Sequence, residues 1–292
     1  MGELIFESIP NNPALDGLAS VVPDIVYSHA GEKEIKLTLI VPQGSRIPEN
    51  PAKYPCIVFV QGSAWTFPDV TYELPQMSEF ARNGYIVAMV THRSALDGFK
   101  APAFLKDVKT AIRFLRANAE NYKIDPDRIG IWGTSSGGNT ALMVGLTGDD
   151  PLYRTDEHSG FSDKVKTVVE CFGPADVPAL FEGLKERADH NPNDRALLYG
   201  LLGADPVEQR ARMQLMNPSK MVVKGKDYPP FLLIHGDKDP LVPYSQSEEM
   251  AVKLAEADIP TRLIKVEGAE HEGTFWSGKL FGIIADYLKQ TL

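Results

Sequence analysis

The sequence RIGIWGTSSGGNT, at residues 128–140, is the stretch from which the fold of this chain can be predicted. Inside it, GTSSG at residues 133–137 fits the pattern G-x-S-x-G. The pattern alone is weak, because glycine and serine are common, but its surroundings are specific. Isoleucine and tryptophan residues that favour β-strands precede it, and the apolar run ALMV at residues 141–144 follows it. The stretch therefore predicts a strand that turns sharply into a helix.

Ser135 lies at the centre of this turn. A serine there adopts a strained backbone conformation, and side chains at Gly133 and Gly137 would collide with the strand and the helix. The strain directs Ser135 Oγ out of the sheet edge, with a helix N-terminus behind it. We expect Ser135 to be a nucleophile, and the alternative is a glycine-rich turn that carries no chemistry.

Length and charge exclude several classes of protein. The chain has 292 residues, of which 43% are hydrophobic and 24% are charged. This is enough to bury a large core, and we expect residues 1–292 to form one domain. The 30 Lys and Arg residues against 39 Asp and Glu residues give a formal net charge of −9. An acidic surface argues against nucleic acid and anionic membrane as partners.

The sequence shows no targeting signal, only two cysteines and no cluster of metal ligands. The N-terminus lacks the apolar core of about 7–15 residues that a signal peptide has, so we expect a cytoplasmic protein. The sequence contains no run of about 18 apolar residues, the length that a membrane-spanning helix needs, so we expect no membrane span. Cys56 and Cys171 lie in apolar runs and are expected to be buried free thiols. No pair of histidines stands at metal-ligand spacing, and we expect no metal or other cofactor.

Apolar runs of strand length alternate with segments of helical periodicity. Residues 1–20 are expected to be an irregular arm. The expected strands lie at residues 24–27, 35–41, 56–60, 85–90, about 129–132, 165–172, 231–234 and 262–266. The expected helices lie at residues 73–83, 102–120, from the serine turn to about 147, 245–257 and 275–288. This order predicts an α/β fold, with a mostly parallel, eight-stranded sheet flanked by helices on both faces.

One segment interrupts the alternation. The stretch between residues 172 and 231 is far longer than the dozen or so residues that a simple crossover needs. Helical patterns at residues 177–188 and 195–202 are separated by segments rich in Asn, Pro and Gly. We expect residues of about 174–228 to form a small helical cap over the carboxyl edge of the sheet. The alternative is an excursion elsewhere on the surface.

A serine hydroxyl needs a base to take its proton, and the base needs an acid to orient it. In this arrangement the order along the chain is Ser, acid, His. Only His235 and His271 follow Ser135 at plausible strand ends. The loop after His235 supplies Asp237 and Asp239, so the base should come later, at His271. The residues alone do not decide between the two aspartates, since either could be a turn residue.

The oxyanion that forms during acyl transfer needs backbone N–H donors. One comes from the residue after the nucleophile, Ser136. The others should come from the loop QGSAW at residues 61–65, which follows the strand at residues 56–60. Small residues in this loop allow the backbone to approach a substrate closely. The alternative is an ordinary turn at the end of a strand.

Five motifs in this order resemble those of α/β-hydrolase serine esterases, over about residues 35–290. They are QGSAW at 61–65, LKDVKTAIRFLR at 105–116, IDPDRIG at 124–130 leading into the serine turn, PPF at 229–231 before HGDKDPLVP at 235–243, and GAEH at 268–271. The chain is most similar to the bifunctional feruloyl/acetylxylan esterase-like group, which is related to hormone-sensitive-lipase-type carboxylesterases.

This resemblance implies roles for particular residues. It implies Ser135 as nucleophile, Asp239 as acid and His271 as base. It also implies oxyanion donors at three backbone N–H groups, those of Ser63, Ala64 and Ser136. Gln61 departs from the pattern, because relatives usually have a histidine there that braces the loop. An amide can also donate and accept hydrogen bonds, so we expect Gln61 to brace the loop without touching substrate.

The leading hypothesis is a serine carboxylic ester hydrolase for short-acyl or hydroxycinnamoyl esters of carbohydrates, with a small ester as its binding partner. Two alternatives remain, an acylaminoacyl-peptidase-like amidase and a ligand-binding protein that has lost catalysis. Trp65 and Phe67 in the oxyanion loop and Tyr199 in the cap could line an apolar acyl or aryl pocket. Equally, the aromatic residues of this region could hold the cap to the core. Three further apolar residues of the expected cap could take either of these two roles, namely Phe181, Leu198 and Leu201.

Overall fold

The computed structural model describes residues 4–292. The expectations about the N-terminus also concern residues 1–3, which lie outside the described residues. Residues 4–18 contain no helix or strand, but the first strand begins at Ala19, inside the irregular arm predicted for residues 1–20 and five residues before the strand predicted at 24–27. Among the described residues, no helix is long and apolar enough to cross a bilayer.

Eight strands form one sheet in the described part of the chain. They are β1 (Ala19–Ala30), β2 (Lys33–Pro42), β3 (Tyr54–Val60), β4 (Ile86–Val90), β5 (Ile124–Thr134), β6 (Val168–Cys171), β7 (Phe231–Gly236) and β8 (Thr261–Val266). Their order across the sheet is β1-β2-β4-β3-β5-β6-β7-β8. β1 and β2 pair antiparallel, as do β2 and β4, whereas all pairs from β4 to β8 are parallel. The prediction of a mostly parallel, eight-stranded sheet is confirmed.

Helices cover both faces of this sheet. Over residues 4–292 they are α1 (Leu74–Arg82), α2 (Ala103–Ala117), α3 (Ala119–Tyr122), α4 (Ser136–Leu146), α5 (Val177–Ala188), α6 (Pro192–Leu202), α7 (Pro206–Gln214), α8 (Ser245–Glu256) and α9 (Gly278–Thr291). One apolar cluster packs α2, α4 and α8 against one face, and a second packs α1 and α9 against the other. The central strands are buried on both faces, which explains their uninterrupted apolar sequences.

Several boundaries differ from the predicted ones. The helix expected at residues 102–120 is divided at Asn118, between α2 and α3. α6 begins at Pro192 instead of residue 195, because Asn191 caps it by accepting a hydrogen bond from the backbone N–H of Asn193. β6 begins at Val168 instead of residue 165. α9 begins three residues late, because residues 273–275 form a separate 3-10 turn and Ser277 provides the cap.

The helices α5, α6 and α7 lie between β6 and β7 in the chain, within the segment expected to form a cap. Asn139, on α4, contacts the chain on both sides of these three helices. Its side-chain amide donates to the carbonyl oxygens of Pro174 and Met216, at 2.8 and 3.0 Å. At the other side, Trp65 stacks on Phe181 of α5, with ring centroids 5.9 Å apart. The segment is thus tied to the helix that follows the serine turn and to the loop after β3.

Both cysteines are free and buried, as predicted. Cys56 lies in β3 and Cys171 in β6, and neither side chain reaches solvent. Burial raises the pKa of the Cys56 thiol to about 12 and raises the pKa of Cys171 well above its ordinary value. Since thiolates are the reactive species, both thiols are inert at neutral pH.

Candidate active site

Ser135 joins β5 to α4 in a sharp turn. Its backbone has φ 51° and ψ −122°, a conformation that is strained for a residue with a side chain. A Cβ atom at Gly133 would overlap the backbone of Gly137, and one at Gly137 would overlap the carbonyl of Val60. Both positions therefore require glycine if the helix is to start this close to the sheet. A Cβ at Gly62 would lie 2.7 Å from Ser135 Cβ, so the loop after β3 also approaches the serine closely.

The ends of β7 and β8 bring two further side chains to Ser135. His271 follows β8, and its Nε2 lies 2.9 Å from Ser135 Oγ. Asp239 follows β7, and its Oδ2 lies 2.6 Å from His271 Nδ1. Serine, imidazole and carboxylate thus form one continuous line of hydrogen bonds at the carboxyl edge of the sheet.

Asp239 and Asp237 take different places in this loop. Asp239 Oδ1 accepts the backbone N–H groups of Leu241 and Val242, at 2.8 and 2.9 Å. Burial alone would raise the pKa of Asp239, but its hydrogen bonds with His235 and His271 hold that pKa well below the usual range. Asp237 Oδ1 instead accepts the backbone N–H of Gly268, at 2.7 Å, and so braces the loop that carries His271.

His235 is a polar contact of Asp239 that the sequence does not reveal, because its position before the aspartates only argues against it as the base. Its Nε2 lies 3.1 Å from Asp239 Oδ2 and 2.9 Å from the carbonyl oxygen of Val242. A carbonyl only accepts hydrogen bonds, so Nε2 carries the proton. His235 Nδ1 is then free to accept from the hydroxyl of Ser247, at 2.7 Å. The side chain is fully buried.

A second buried acid, Glu170, lies on β6. The backbone N–H of Gly173 donates to its Oε1. Burial raises the pKa of Glu170 to about 8, although the contacts with Gly173 and the hydroxyl of Ser247 oppose the rise. Glu170 is therefore mostly a neutral acid at pH 7, because a charged carboxylate is disfavoured without solvent.

The loop after β3 presents backbone N–H groups beside Ser135. The N–H of Ser63 donates to Ser136 Oγ at 2.9 Å. Within residues 4–292, the N–H groups of Ala64 and Ser136 donate no hydrogen bond. Ala64 has φ 50°, a left-handed conformation that turns this stretch of backbone. Gln61 Oε1 accepts the backbone N–H of Asp69, so the amide ties the start of the loop to a later turn, as expected.

The three aromatic residues expected to line a pocket have different surroundings. Trp65 is buried and contacts Phe104 and Phe181. Phe67 is exposed, with the ammonium of Lys33 5.5 Å from its ring centroid. Tyr199 is exposed on α6. No group of three or more potential metal ligands occurs among residues 4–292.

A parallel sheet with a serine at the turn after β5, and with Asp239 and His271 after β7 and β8, defines the class of α/β-hydrolases. The chain belongs to the BD-FAE family of this class, because the family's sequence model matches residues 46–254.

Several relatives of this chain are named as esterases. Esterase LipC of Mycobacterium tuberculosis is 28% identical over 230 residues, which cover 77% of this chain and 54% of LipC. The chain spans about half the length of the curated relatives it matches.

Solved structures show the same fold. A bifunctional GH43-CE protein of Bacteroides eggerthii superposes with a TM-score of 0.77 at 29% identity, over 93% of this chain and 38% of that protein. A truncated carbohydrate esterase from gut microbiota gives a TM-score of 0.74 at 28% identity, over 96% of this chain and 99% of the other.

Proposed function

We propose that this chain is a carboxylesterase, a serine hydrolase of carboxylic esters. The observation that carries the proposal is the line of hydrogen bonds from Ser135 Oγ through His271 to Asp239, with distances of 2.9 and 2.6 Å. An ester hydrolase of this kind needs a nucleophile, a base in contact with it and an acid that orients the base. Family membership and the names of the relatives support the same activity.

In the proposed reaction, Ser135 Oγ attacks the ester carbonyl while His271 Nε2 takes its proton. His271 then returns this proton to the departing alcohol, which leaves an acyl group on Ser135. Water attacks the acyl-enzyme in the same way and releases the acid. Asp239 holds the imidazole in the tautomer that carries its proton on Nδ1 and stabilises the imidazolium. Four hydrogen-bond contacts to its two oxygens keep Asp239 in place.

The proposed oxyanion donors are the backbone N–H groups of Ala64, Ser136 and Ser63. The first two donate no hydrogen bond to any described residue, so they are ready to bind a developing negative charge. The N–H of Ser63 already donates to Ser136 Oγ, and it would exchange this bond for one to the oxyanion. Each such donor contributes a factor of about 10²–10³ in rate.

For the substrate, we propose short-acyl or hydroxycinnamoyl esters of carbohydrates. The two similar solved proteins described as carbohydrate esterase and GH43-CE support this choice, since both lie above 25% identity. The net charge of −9 disfavours polyanionic substrates. We propose that the segment of about residues 174–228, with α5, α6 and α7, acts as a cap that limits the length of the acyl group.

Substitutions of the three site residues test the mechanism. Ser135→Ala should abolish the burst of p-nitrophenol from p-nitrophenyl acetate, because no acyl-enzyme can form. Asp239→Asn should lower kcat by about 10⁴-fold, since the imidazole loses the partner that fixes its tautomer. The matched control Asp237→Asn should cost much less, because Asp237 contacts Gly268 and not His271. A harmless Asp239→Asn beside a damaging Asp237→Asn would falsify the assignment of the acid.

A substrate series tests the specificity. Rates should fall steeply from p-nitrophenyl acetate and butyrate to the palmitate ester, and acetylated xylo-oligosaccharides or methyl ferulate should be hydrolysed. Faster hydrolysis of the palmitate than of the acetate would identify a lipase instead. Activity on acylated amino-acid amides, with no activity on sugar or aryl esters, would identify a peptidase.

A further inference from the structure

A cavity of about 330 Å³ lies between the start of α1 and the turn that precedes α9. Its walls are largely aromatic. The residues that line it are Phe59, Tyr72, Glu73, Gln76, Met77, Gly273, Trp276 and Phe281. Trp276 and Phe281 stack on each other, with ring centroids 5.1 Å apart and planes inclined by 12°. Aromatic faces carry partial negative charge and attract cations.

Glu73 is the acidic residue in this wall. Its side chain is only 5% exposed, yet neither carboxylate oxygen has a hydrogen-bond partner among residues 4–292. A buried carboxylate without a partner costs free energy, so such a group needs a physical reason to be there. A ligand that supplies positive charge or a hydrogen-bond donor would satisfy it.

The charged groups around Glu73 are negative. Burial raises the pKa of Glu73 to about 8, and the charge of Glu272 and then that of Asp69 add to the rise. The backbone N–H of Glu73 itself and the side-chain amide of Gln61 oppose the rise, although neither forms a hydrogen bond of normal geometry with the carboxylate. The residues that line the cavity include no lysine or arginine. Acidic and aromatic walls without a cation of their own form an environment that attracts a positively charged ligand.

We propose that this cavity binds an organic ammonium group, with Glu73 as its counter-ion and the aromatic rings of Tyr72 and Trp276 around its methyl or methylene groups. The carboxylate supplies the charge that offsets the ammonium. The rings supply cation–π contacts and replace water around the alkyl substituents. The cavity volume is large enough for a trimethylammonium group with a short side chain.

The cavity is close in sequence to the proposed base, because Gly273, which lines it, stands two residues after His271. Glu272 follows His271 directly in the sequence, and Trp276 Nε1 donates to its Oε2 at 3.1 Å. Gln61, whose amide contacts Glu73, begins the loop that carries the proposed oxyanion donors. The ammonium group therefore has two possible sources, a free amine or the alcohol part of an ester held at Ser135. The binding itself does not depend on the proposed esterase activity.

Titration calorimetry with choline tests the binding. Choline keeps its charge at every pH, and 3,3-dimethylbutan-1-ol is its neutral counterpart of the same shape. At pH 9, choline should bind at least about tenfold more tightly than the neutral alcohol. Its affinity should fall by at least about tenfold at pH 6, where Glu73 is protonated. Equal binding of both compounds, or no choline binding at millimolar concentrations, would overturn the proposal.

Substitutions test whether choline binds in this cavity and which residues bind it. Glu73→Gln should remove the preference for choline and the dependence on pH, because the amide resembles the protonated acid and carries no charge. Tyr72→Leu should weaken choline binding while the neutral alcohol binds as before. Glu79→Gln, on the same helix α1 but exposed and paired with Arg82, should change nothing. Thermal unfolding of each variant confirms that it is folded, and choline binding that survives in a folded Glu73→Gln variant contradicts the proposal.

Two esters distinguish the sources of the ammonium group, and this arm rests on the proposed function. Acetylcholine and 3,3-dimethylbutyl acetate differ only in charge. If the group belongs to the substrate, kcat/KM should favour acetylcholine by at least about tenfold, and Glu73→Gln should bring the ratio close to one. Equal rates for the two esters, together with choline binding, identify a free amine. If neither ester is hydrolysed, the proposed esterase activity fails. Calorimetry alone then decides whether the cavity binds an ammonium group.

Discussion

The oxygen Oδ2 of Asp239 lies within hydrogen-bond distance of two imidazoles, those of His271 and His235. The other oxygen accepts two backbone N–H groups. A buried carboxylate stays ionised only when such contacts replace its hydration, and here every oxygen has at least two. His235 in turn is held by Val242 and Ser247, so the orientation of the proposed acid depends on residues that never approach a substrate.

Glu170 should make the stability of the protein depend on pH. Its pKa is raised from 4.5 to about 8 in the folded protein, so the folded state binds a proton that the unfolded chain has already lost above pH 5. The contribution of Glu170 to stability is therefore complete below pH 4.5 and is lost as the pH rises towards 8. Glu170→Gln removes this loss.

Urea unfolding of the wild type and Glu170→Gln at pH 5, 6.5 and 8 measures the effect. The stability of the variant relative to the wild type should grow by about 1.4 kcal/mol for each pH unit in this range. A difference that is the same at all three pH values would show that Glu170 ionises normally in the folded protein.

The sequence alone identified a candidate serine and base but not the acid. Ser135 could be recognised because its turn requires Gly133 and Gly137, and such a requirement is local. Asp237 and Asp239 stand two residues apart in a loop, and only the path of that loop decides which one faces His271. His235 was missed as a partner for the same reason, because its contacts depend on how the chain turns back after β7.

At the scale of elements, buried strands were the easiest to predict because they are apolar throughout. Helix starts were harder. Asn191 and Pro192 are typical of a break between two helices. However, proline also fits the first turn of a helix, where its missing N–H is not needed. α6 therefore begins there. Similarly, the last helix is predicted to begin at residue 275, but residues 273–275 form a separate 3-10 turn and α9 begins only after its cap at Ser277.

The contact between the proposed cap, at about residues 174–228, and the core should depend on Trp65. This side chain is 4% exposed and lies between Phe104 of α2 and Phe181 of α5. Trp65→Ala should lower the free energy of unfolding by about 3–5 kcal/mol, because it leaves a cavity between the two elements. Tyr199→Ala, at an exposed position of α6, should change it by less than about 1 kcal/mol.

Chemical denaturation of both variants, beside the acyl-chain series of p-nitrophenyl esters, separates the two interpretations of these aromatic residues. If Trp65→Ala is nearly as stable as the wild type but prefers longer acyl groups, Trp65 lines a pocket instead of joining the cap to the core. A shift in acyl preference for Tyr199→Ala without loss of stability would assign the pocket to α6.

At the scale of the whole molecule, the excess of acidic residues predicts which polymers the protein avoids. With a formal charge of −9, its surface repels phosphate backbones on average. We expect no complex with duplex DNA in a gel-shift assay at about 50 mM salt, where binding through backbone phosphates is strongest. A shifted band that disappears on adding salt would reveal a basic patch that the net charge conceals.

The buried thiols of Cys56 and Cys171 have a practical consequence for following motion of the cap. They are the only cysteines in the sequence, and both stay protonated and enclosed in the folded protein. Maleimide and iodoacetamide reagents attack exposed thiolates, so the native chain should give almost no background labelling. A cysteine introduced on the exposed side of α6, as in Tyr199→Cys, would then carry a single spin label or fluorophore. Distances from this label to a second one on the sheet would record whether α5, α6 and α7 open when an ester binds.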